Sequence, residues 1–336
     1  MRAIAALPAL FCALALAGCG GSGGGSDGPL TVYSGREEEL VAPLFQKFTD
    51  ATGIDVEVRY GDSAELAATI AEEGSNSPAD VFFAQDPGSL GAVDAQLAEL
   101  PPETLGRVAS RFRDADGRWV GTSGRTRVLV YNTARLPRGE LPASVLELTE
   151  PKWKDRVGIA PTNASFQAFV TAMRLSLGDE KTREWLEGMK ENGARTYEKN
   201  TPIVEAVASG EIDVGLVNHY YLALVRQERP DAPIANHLFE AGDPGSLVSV
   251  AGAGVLGSSD QREASERFVE FLLSDEAQRF YVDEAEENEY PLVAGVDPPD
   301  GLVPLEEIQG PDVELTAFGS ELSSTVELLR RTGWLT

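Results

Sequence analysis

The sequence has very few of the side chains that most metal sites and nucleophilic enzymes use. Its 336 residues include only two cysteines, Cys12 and Cys19, and two histidines, His219 and His237. Both cysteines lie near the start, so the rest of the chain has none for disulfides, thiol catalysis or thiolate metal sites. A disulfide framework and a cysteine-based zinc site are therefore excluded from the body of the chain.

Signatures of common hydrolases are also missing. After residue 28 the sequence contains neither a G-x-S-x-G nucleophile elbow nor an H-E-x-x-H zinc motif. A serine nucleophile needs a histidine and an orienting carboxylate, and only two histidines are available for such a triad. We therefore expect that the protein is not an enzyme, and a secreted hydrolase is the least favoured functional class.

Positive charge is scarce. The chain has 28 Lys and Arg against 54 Asp and Glu, which gives a formal net charge of −26. Such a surface repels nucleic acid and anionic membranes, so no nucleic-acid partner is expected. The charge fits a soluble exported protein and would attract cations weakly, but solubility alone explains it equally well.

The one long apolar run lies at the N-terminus, from Ala3 to Ala17, and is too short for a comfortable membrane span. Residues 1–18 are therefore predicted to be a signal peptide. The run ends in Leu-Ala-Gly-Cys, which resembles the lipobox of bacterial lipoproteins, and a Gly/Ser tether extends from residue 19 to 28. We expect an exported lipoprotein anchored to the cell membrane through Cys19, on the extracellular face or in the periplasm. The alternative is an ordinary cleaved signal with an incidental cysteine.

Strand and helix patterns alternate along the rest of the chain. Short strands are predicted at 30–34, 54–60 and 79–84, with amphipathic helices between them, which is typical of a parallel sheet with crossover helices. The second half repeats this theme, with strands at 125–132 and 156–161 among its elements. We predict an α/β fold of two lobes that enclose a cleft. The predicted lobes are residues 29–124 with 250–296, and residues 125–249 with 297–336.

Ligands of open α/β sheets collect at the carboxyl ends of the strands. Four candidate loops follow predicted strands in this way: residues 34–38, 84–87, 161–165 and 218–221. We expect these loops to line the cleft between the lobes.

The last of these loops contains two adjacent tyrosines, Tyr220 and Tyr221. In a strand they would point to opposite faces, but a turn at the end of a strand lets both rings converge. Ferric iron prefers hard anionic oxygen, and a nearby trivalent cation lowers the pKa of a phenol and holds the phenolate. Aromatic residues of a core or an interface are the alternative explanation for the pair.

Several segments together resemble the iron(III) substrate-binding proteins of bacterial ABC importers. They include TVYSGREEEL, ADVFFAQDPGSL, SGRTRVLVYNT, PKWKDRVGIAPTNASF and EIDVGLVNHYY, in matching order over about residues 30–295. The resemblance implies a periplasmic-binding-protein-like fold of type II, with two α/β lobes, a ligand cleft and hinge strands near 123–131 and 247–256. It also implies Fe³⁺ as bound cargo, phosphate or carbonate as a synergistic anion, and an ABC permease as partner. A monomer is expected.

In that family two adjacent tyrosines of the second lobe bind iron, and they match Tyr220 and Tyr221. Many members carry a histidine where this chain has Glu37, so Glu37 is the favoured ligand from the first lobe, followed by Glu38. A solvated acidic first turn, stabilised by the helix dipole, is the alternative for these glutamates.

Other positions of the family's site match this chain less directly. Gln85 stands where some members have a glutamate, and its neutral amide suits a water or an anion better than Fe³⁺. Asp86 is predicted to cap the helix that starts at Pro87. His219, beside the tyrosines, is interpreted as structural or as a support of the ligands.

The anion site implied by the resemblance combines a turn of small residues, two asparagines and an arginine. The matching residues are Asn163, Ala164, Ser165, Asn200, Asn218 and Arg125. Backbone N–H groups at a helix start suit an anion, and a guanidinium contacts carbonate or phosphate with two N–H groups. Helix caps and turns are the alternative role for the asparagines.

A second function fits the same fold. The missing histidine and the amide at Gln85 leave room for an organic or oxyanion solute, such as a phosphonate, a polyamine or a sugar. Iron binding through phenolate oxygens would give a visible colour that distinguishes the two functions.

Overall fold

The computed structural model describes residues 28–284, 288–299 and 301–335. The signal peptide at 1–18 and the lipidation site at Cys19 lie outside the described residues and stay predictions. In the described part of the chain, no helix combines the length and apolarity that crossing a bilayer requires.

Strands and helices alternate as the sequence predicts. The strands are β1 (Leu30–Ser34), β2 (Val56–Tyr60), β3 (Val81–Ala84), β4 (Trp119–Asn132), β5 (Val157–Ile159), β6 (Arg195–Thr196), β7 (Val214–Asn218), β8 (Ile234–His237), β9 (Val248–Val255) and β10 (Tyr290–Pro291). The helices are α1 (Glu38–Thr52), α2 (Ser63–Glu73), α3 (Pro87–Ala92), α4 (Pro102–Leu105), α5 (Ala164–Leu177), α6 (Asp179–Glu191), α7 (Asn200–Ser209), α8 (Tyr221–Glu228), α9 (Arg262–Leu272), α10 (Asp275–Arg279) and α11 (Phe318–Arg331).

Strand β4 connects two halves of the sheet. Its first part pairs antiparallel with β9, and its second part pairs with β7 and β8. On one side the order is β2-β1-β3-β9-β4, and on the other β4-β7-β5-β6. A strand from late in the chain, β9, therefore lies between β3 and β4. This arrangement confirms the predicted α/β fold of the type II periplasmic-binding-protein kind.

Parallel pairing brings the predicted loops to shared edges. β1 pairs in parallel with β2 and β3, and β5 pairs in parallel with β7. The carboxyl ends of these strands are Ser34, Tyr60 and Ala84 in one half, and Ile159 and Asn218 in the other. Polar loops that are far apart in the chain thus lie side by side.

Aromatic packing holds α1 and α9 onto the first half of the sheet. Phe45 and Phe48 of α1 contact Phe268 of α9 with ring centroids 5.4 and 5.0 Å apart, and Phe45 also meets Phe83 of β3 at 6.1 Å. Each such pair contributes about 0.5–1.5 kcal/mol beyond its buried area. The loop between β1 and α1 is therefore carried by a well-packed helix.

Two glycines follow the last residues of helices. Gly53 and Gly210 adopt φ of 73° and 77° after α1 and α7, a left-handed conformation that costs glycine little. At the start of α2, the side chain of Asp62 accepts the backbone N–H of Ala64. The Ser63 hydroxyl accepts a hydrogen bond from the backbone N–H of Gln85 at 3.0 Å and so joins two loops.

Helix α11 contacts both halves of the molecule. It packs against α3, which follows β3, and against α5, which follows β5. Gly319 lies against Gly91 of α3, and the hydroxyls of Thr171 and Thr325 are 2.8 Å apart between α5 and α11. The predicted lobe boundaries stay a prediction, but α11, placed in the second lobe, is bound to helices of both.

Candidate functional site

The two tyrosines lie at the turn between β7 and α8. Tyr220 has helical φ and ψ of −72° and −22°, and Tyr221 is the first residue of α8. Their ring centroids are 4.5 Å apart with 37° between the planes, so the rings lie side by side. Tyr220 is 1% exposed and adjoins a cavity of about 860 Å³, and Tyr221 is half-buried. The turn thus frees the pair from strand geometry.

A hydrogen-bond network joins the tyrosine pair to the predicted anion site. The Asn218 amide donates to Tyr220 Oη at 3.2 Å and to Ser165 Oγ at 3.1 Å. Asn163 Oδ1 accepts from the Ser165 backbone N–H at 3.0 Å and from the Asn200 amide at 3.2 Å. The structure therefore brings these four predicted anion residues together with the tyrosine that is predicted to bind metal.

The N-terminus of α5 forms one wall of this network. Asn163 caps the helix with its side chain, as the alternative interpretation had it, and Ala164 is the first helical residue. Asn200 is fully buried, and its Oδ1 has no hydrogen-bond partner among the described residues. A helix start carries partial positive charge and backbone N–H groups, so an anion is the ligand that this wall suits.

Arg127, which the sequence analysis did not select, completes the network. It lies opposite Asn218 on β4, donates to Asn218 Oδ1 at 3.2 Å and donates to the Leu216 carbonyl at 2.8 Å. It is buried, and no carboxylate pairs with it among the described residues. Burial lowers the Arg127 pKa to about 10, and the neighbouring Tyr221 and Tyr220 act in the opposite direction. The tyrosines thus lie within the electrostatic range of a buried cation.

Arg125 lies outside the asparagine network. Its Nη2 is 3.4 Å from the Glu289 carboxylate, and both side chains are almost fully buried. Burial raises the pKa of the nearby Asp86, although hydrogen bonds from Ser89 and the charge of Arg125 oppose that shift. A carboxylate of the chain itself therefore lies where the resemblance implies a free anion, and the anion role of Arg125 stays a prediction.

The glutamates after β1 remain in solvent. Glu37 occupies the N-cap position of α1 without a side-chain cap bond, and Glu38 and Glu39 form the first turn. All three are exposed. Burial raises the pKa of Tyr60 to about 12, and the charge of Glu38 adds to this shift, so Glu38 faces the end of β2. The arrangement suits both a ligand loop and a solvated first turn, so the choice of first-lobe ligand stays a prediction.

The loop after β3 shows a confirmed cap. Asp86 accepts the Ser89 backbone N–H at 2.9 Å at the start of α3, with Pro87 in the first helical position, as the sequence predicts. Gln85 is half-buried, and its backbone N–H is bonded to Ser63. Asp86 therefore has a structural role as a helix cap. A role of Gln85 or Asp86 beside a metal stays a prediction.

His219 is held on both sides of its ring. Its Nδ1 accepts the Thr126 backbone N–H at 3.3 Å, and its Nε2 is 3.1 Å from the Asn288 carbonyl, which selects the Nε2-protonated tautomer. Burial lowers its pKa to about 4, so the ring is neutral. Because both nitrogens are engaged, the geometry favours the structural interpretation of this residue.

Buried charge could have signalled the residues that the sequence analysis missed. Arg127 lies two residues after Arg125 on β4, a strand whose residues are all buried, and a buried guanidinium needs partners. Glu289 offers no such signal, because its partners lie far away in the chain. Among the described residues, no three His, Cys, Asp or Glu side chains are grouped to hold a metal.

Comparisons with known proteins identify relatives of this chain in sequence and in fold. A family model described as bacterial extracellular solute-binding protein matches residues 75–303. The major ferric iron-binding protein of Neisseria meningitidis is 37% identical over 310 residues, which are 90% of this chain and 92% of the relative. The Fe(3+)-binding periplasmic protein of Serratia marcescens is 34% identical, over 94% of each chain. The crystal structure of iron-bound HitA from Pseudomonas aeruginosa is similar, with a TM-score of 0.86, 36% identity, and 91% of this chain and 99% of that one covered.

Proposed function

Since this chain belongs to the bacterial extracellular solute-binding proteins, we propose that it captures ferric iron in its cleft and delivers the ion to an ABC importer. The observation that carries the proposal is the tyrosine pair at the end of β7, with its rings side by side and one phenol oxygen held by Asn218. Relatives over 30% identical are named for ferric iron, which supports the same cargo.

The chemistry of the pair suits Fe³⁺. Two phenolate oxygens are hard anionic ligands, and the ion lowers the phenol pKa values when it binds. The amide N–H of Asn218 points at Tyr220 Oη, so this oxygen acts as a hydrogen-bond acceptor and is oriented by β7. Glu37 is the favoured carboxylate from the first lobe, followed by Glu38.

A synergistic anion, phosphate or carbonate, belongs to the same proposal. The buried Arg127 has no carboxylate partner among the described residues, and the amides and the start of α5 offer N–H groups nearby. We further propose a monomer, tethered to the membrane through a lipid on Cys19, that presents its cargo to the permease.

Titration of the purified metal-free protein with ferric citrate at neutral pH tests the proposal. We expect a visible phenolate-to-iron band, and loss of more than about 100-fold in affinity for Tyr220→Phe or Tyr221→Phe. Tyr197→Phe is the matched control, because that phenol donates to Glu211 at 3.2 Å, and Glu211 precedes β7 whereas the tyrosine pair follows it. A wild-type protein without the band, or variants that keep it, would contradict the proposal. Omission of phosphate and carbonate from the buffer tests the anion.

A second candidate is an oxyanion solute such as a phosphonate. The buried, unneutralised Arg127 favours it, because the site attracts anions even without a metal. Calorimetry with methylphosphonate in metal-free buffer distinguishes the two, since an iron receptor should bind it weakly or only together with iron.

A further inference from the structure

One short segment contacts residues that lie next to the predicted iron ligands in both halves of the proposed site. It comprises Asn288–Tyr290 and leads into β10, which pairs with β4 at Ser123 and Gly124. Asn288 has a φ of +47°, a left-handed conformation that asparagine tolerates better than most residues other than glycine.

Glu289 binds two arginines in the interior. Its carboxylate is fully buried, lies 3.0 Å from Arg36 Nη1 and 3.4 Å from Arg125 Nη2, and accepts the Ser123 hydroxyl at 2.6 Å. Burial opposes ionisation, but Arg36 and Arg125 outweigh it and keep the pKa of Glu289 below its usual range. The Glu289 carboxylate therefore holds the guanidinium groups of Arg36 and Arg125 in place.

Arg36 connects Glu289 to the first half of the site. It is buried, its backbone N–H donates to Ser34 Oγ at 3.2 Å, and it directly precedes Glu37, the favoured first-lobe ligand. A side chain anchored at Arg36 therefore limits where the backbone at Glu37 can lie. Arg36 and Glu289 are 253 residues apart in the chain, so no local rule sets this placement.

The residues on either side of Glu289 connect it to the second half. The Asn288 carbonyl accepts the His219 Nε2 hydrogen at 3.1 Å, and the Tyr290 ring lies 4.8 Å from the His219 ring. His219 directly precedes Tyr220. The segment Asn288–Tyr290 thus contacts both Arg36, which precedes Glu37, and His219, which precedes Tyr220.

We propose that Asn288–Tyr290 is a clasp that sets how the Glu37 loop and the tyrosine pair face each other, with Glu289 as its positioning residue. The inference rests on the proposed iron-binding function. A buried carboxylate between two guanidiniums has few geometries that satisfy all partners, so the clasp holds one arrangement. Without the carboxylate, the guanidinium groups of Arg36 and Arg125 repel each other and move apart. The Glu37 loop and the tyrosine pair then no longer have a fixed relative position.

The first test compares Glu289→Gln with Asp213→Asn. Asp213 is the matched control, because it is also a buried carboxylate between two arginines, Arg135 and Arg156, at the far end of β7 from the tyrosines. Both variants should melt below wild type. We expect Glu289→Gln to bind ferric iron about 10–100-fold more weakly and to release it faster, and Asp213→Asn to stay within about twofold of wild type.

Two further measurements keep the inference falsifiable. Ser123→Ala removes one hydrogen bond to Glu289 and should weaken iron binding in the same direction but less, even if Glu289→Gln folds poorly. Small-angle scattering of metal-free protein should show a shifted radius of gyration for Glu289→Gln and not for Asp213→Asn.

Equal iron affinities for Glu289→Gln and wild type, or equal losses in both carboxylate variants, would overturn the clasp. An unchanged radius of gyration for the metal-free Glu289→Gln variant would also overturn the clasp. A wild-type protein that binds no iron would end the proposed function instead, and the scattering would still decide whether the clasp sets the arrangement of the lobes.

Discussion

Replacement of Gly319 by alanine should loosen the contact between α11 and α3. A Cβ at this position would lie 2.5 Å from Gly91 Cα and 2.8 Å from the Gly91 carbonyl oxygen. These are backbone atoms of another helix, so no side-chain rotation can relieve the overlap. The two helices would have to separate, and α11 is also held to α5 by the 2.8 Å contact of Thr171 with Thr325.

Two opposing effects decide the size of the change. Alanine favours a helix over glycine by about 1 kcal/mol. Restoring ordinary contact at about 3.5 Å requires a shift of about 1 Å, which forfeits a quarter to a half of the dispersion energy along the contact. Overpacking of this kind costs about 1–3 kcal/mol. Because the overlap falls on backbone atoms that cannot rotate away, we expect a cost in the upper part of this range, about 2–3 kcal/mol. The net loss is then about 1–2 kcal/mol, which lowers the melting temperature by about 2–6 °C.

Thermal unfolding of the metal-free protein, followed by circular dichroism, measures this effect. Ser323→Ala is the control, because Ser323 is exposed on the same helix and its replacement adds helix propensity without an overlap. The control should melt at or slightly above the wild-type temperature. If Gly319→Ala also melted at or above that temperature, the reasoning from the close Gly91 contact would be refuted.

The remaining predictions concern charge at the site. Arg127→Met should reduce the gain in iron affinity that phosphate or carbonate provides, because it removes a cation that the anion neutralises. The control Arg174→Met, which replaces a buried arginine between α5 and α11, should leave this gain unchanged. Iron titrations with and without the anion measure the gain. Glu37→Gln should weaken iron binding by about 10-fold or more in the same titration and Glu39→Gln by less than about twofold, and equal effects would contradict the ligand assignment. Asp86→Ala should lose about 1 kcal/mol of stability by urea unfolding, while Asp86→Asn keeps the cap. Because burial raises the Asp86 pKa, the wild-type carboxylate costs stability at neutral pH, and this cost should vanish as the pH falls below about 4.

Local pattern predicted the elements that carry the site. Apolar patterns predicted strands at 30–34 and 79–84, and the structure has β1 at Leu30–Ser34 and β3 at Val81–Ala84. These predictions succeed because period and end signals are properties of neighbouring residues. The loops at the strand ends then follow from parallel pairing.

Contacts between distant segments could not be predicted in this way. Arg127 and Asn218 are 91 residues apart, and Arg36 and Glu289 are 253 apart, so no pattern of neighbouring residues signals either contact. Arg125 was assigned to an anion from a resemblance of its local motif, and Glu289, which lies against it, has no motif of its own. The first-lobe ligand stays open because three consecutive glutamates are equally exposed.

Charge balance explains why an acidic protein would need a further anion to hold a cation. A ferric ion brings three positive charges beside the cation of Arg127, which has no carboxylate partner among the described residues. In the proposed site, two phenolates and the carboxylate of Glu37 would supply three negative charges, and Gln85 would supply none where some relatives of the resembled family have a glutamate. The iron-loaded site would therefore retain about one positive charge in a partly buried setting, where uncompensated charge is costly. The amides at the start of α5 lie beside the tyrosine pair, so an anion bound there would neutralise this excess without help from the distant acidic surface.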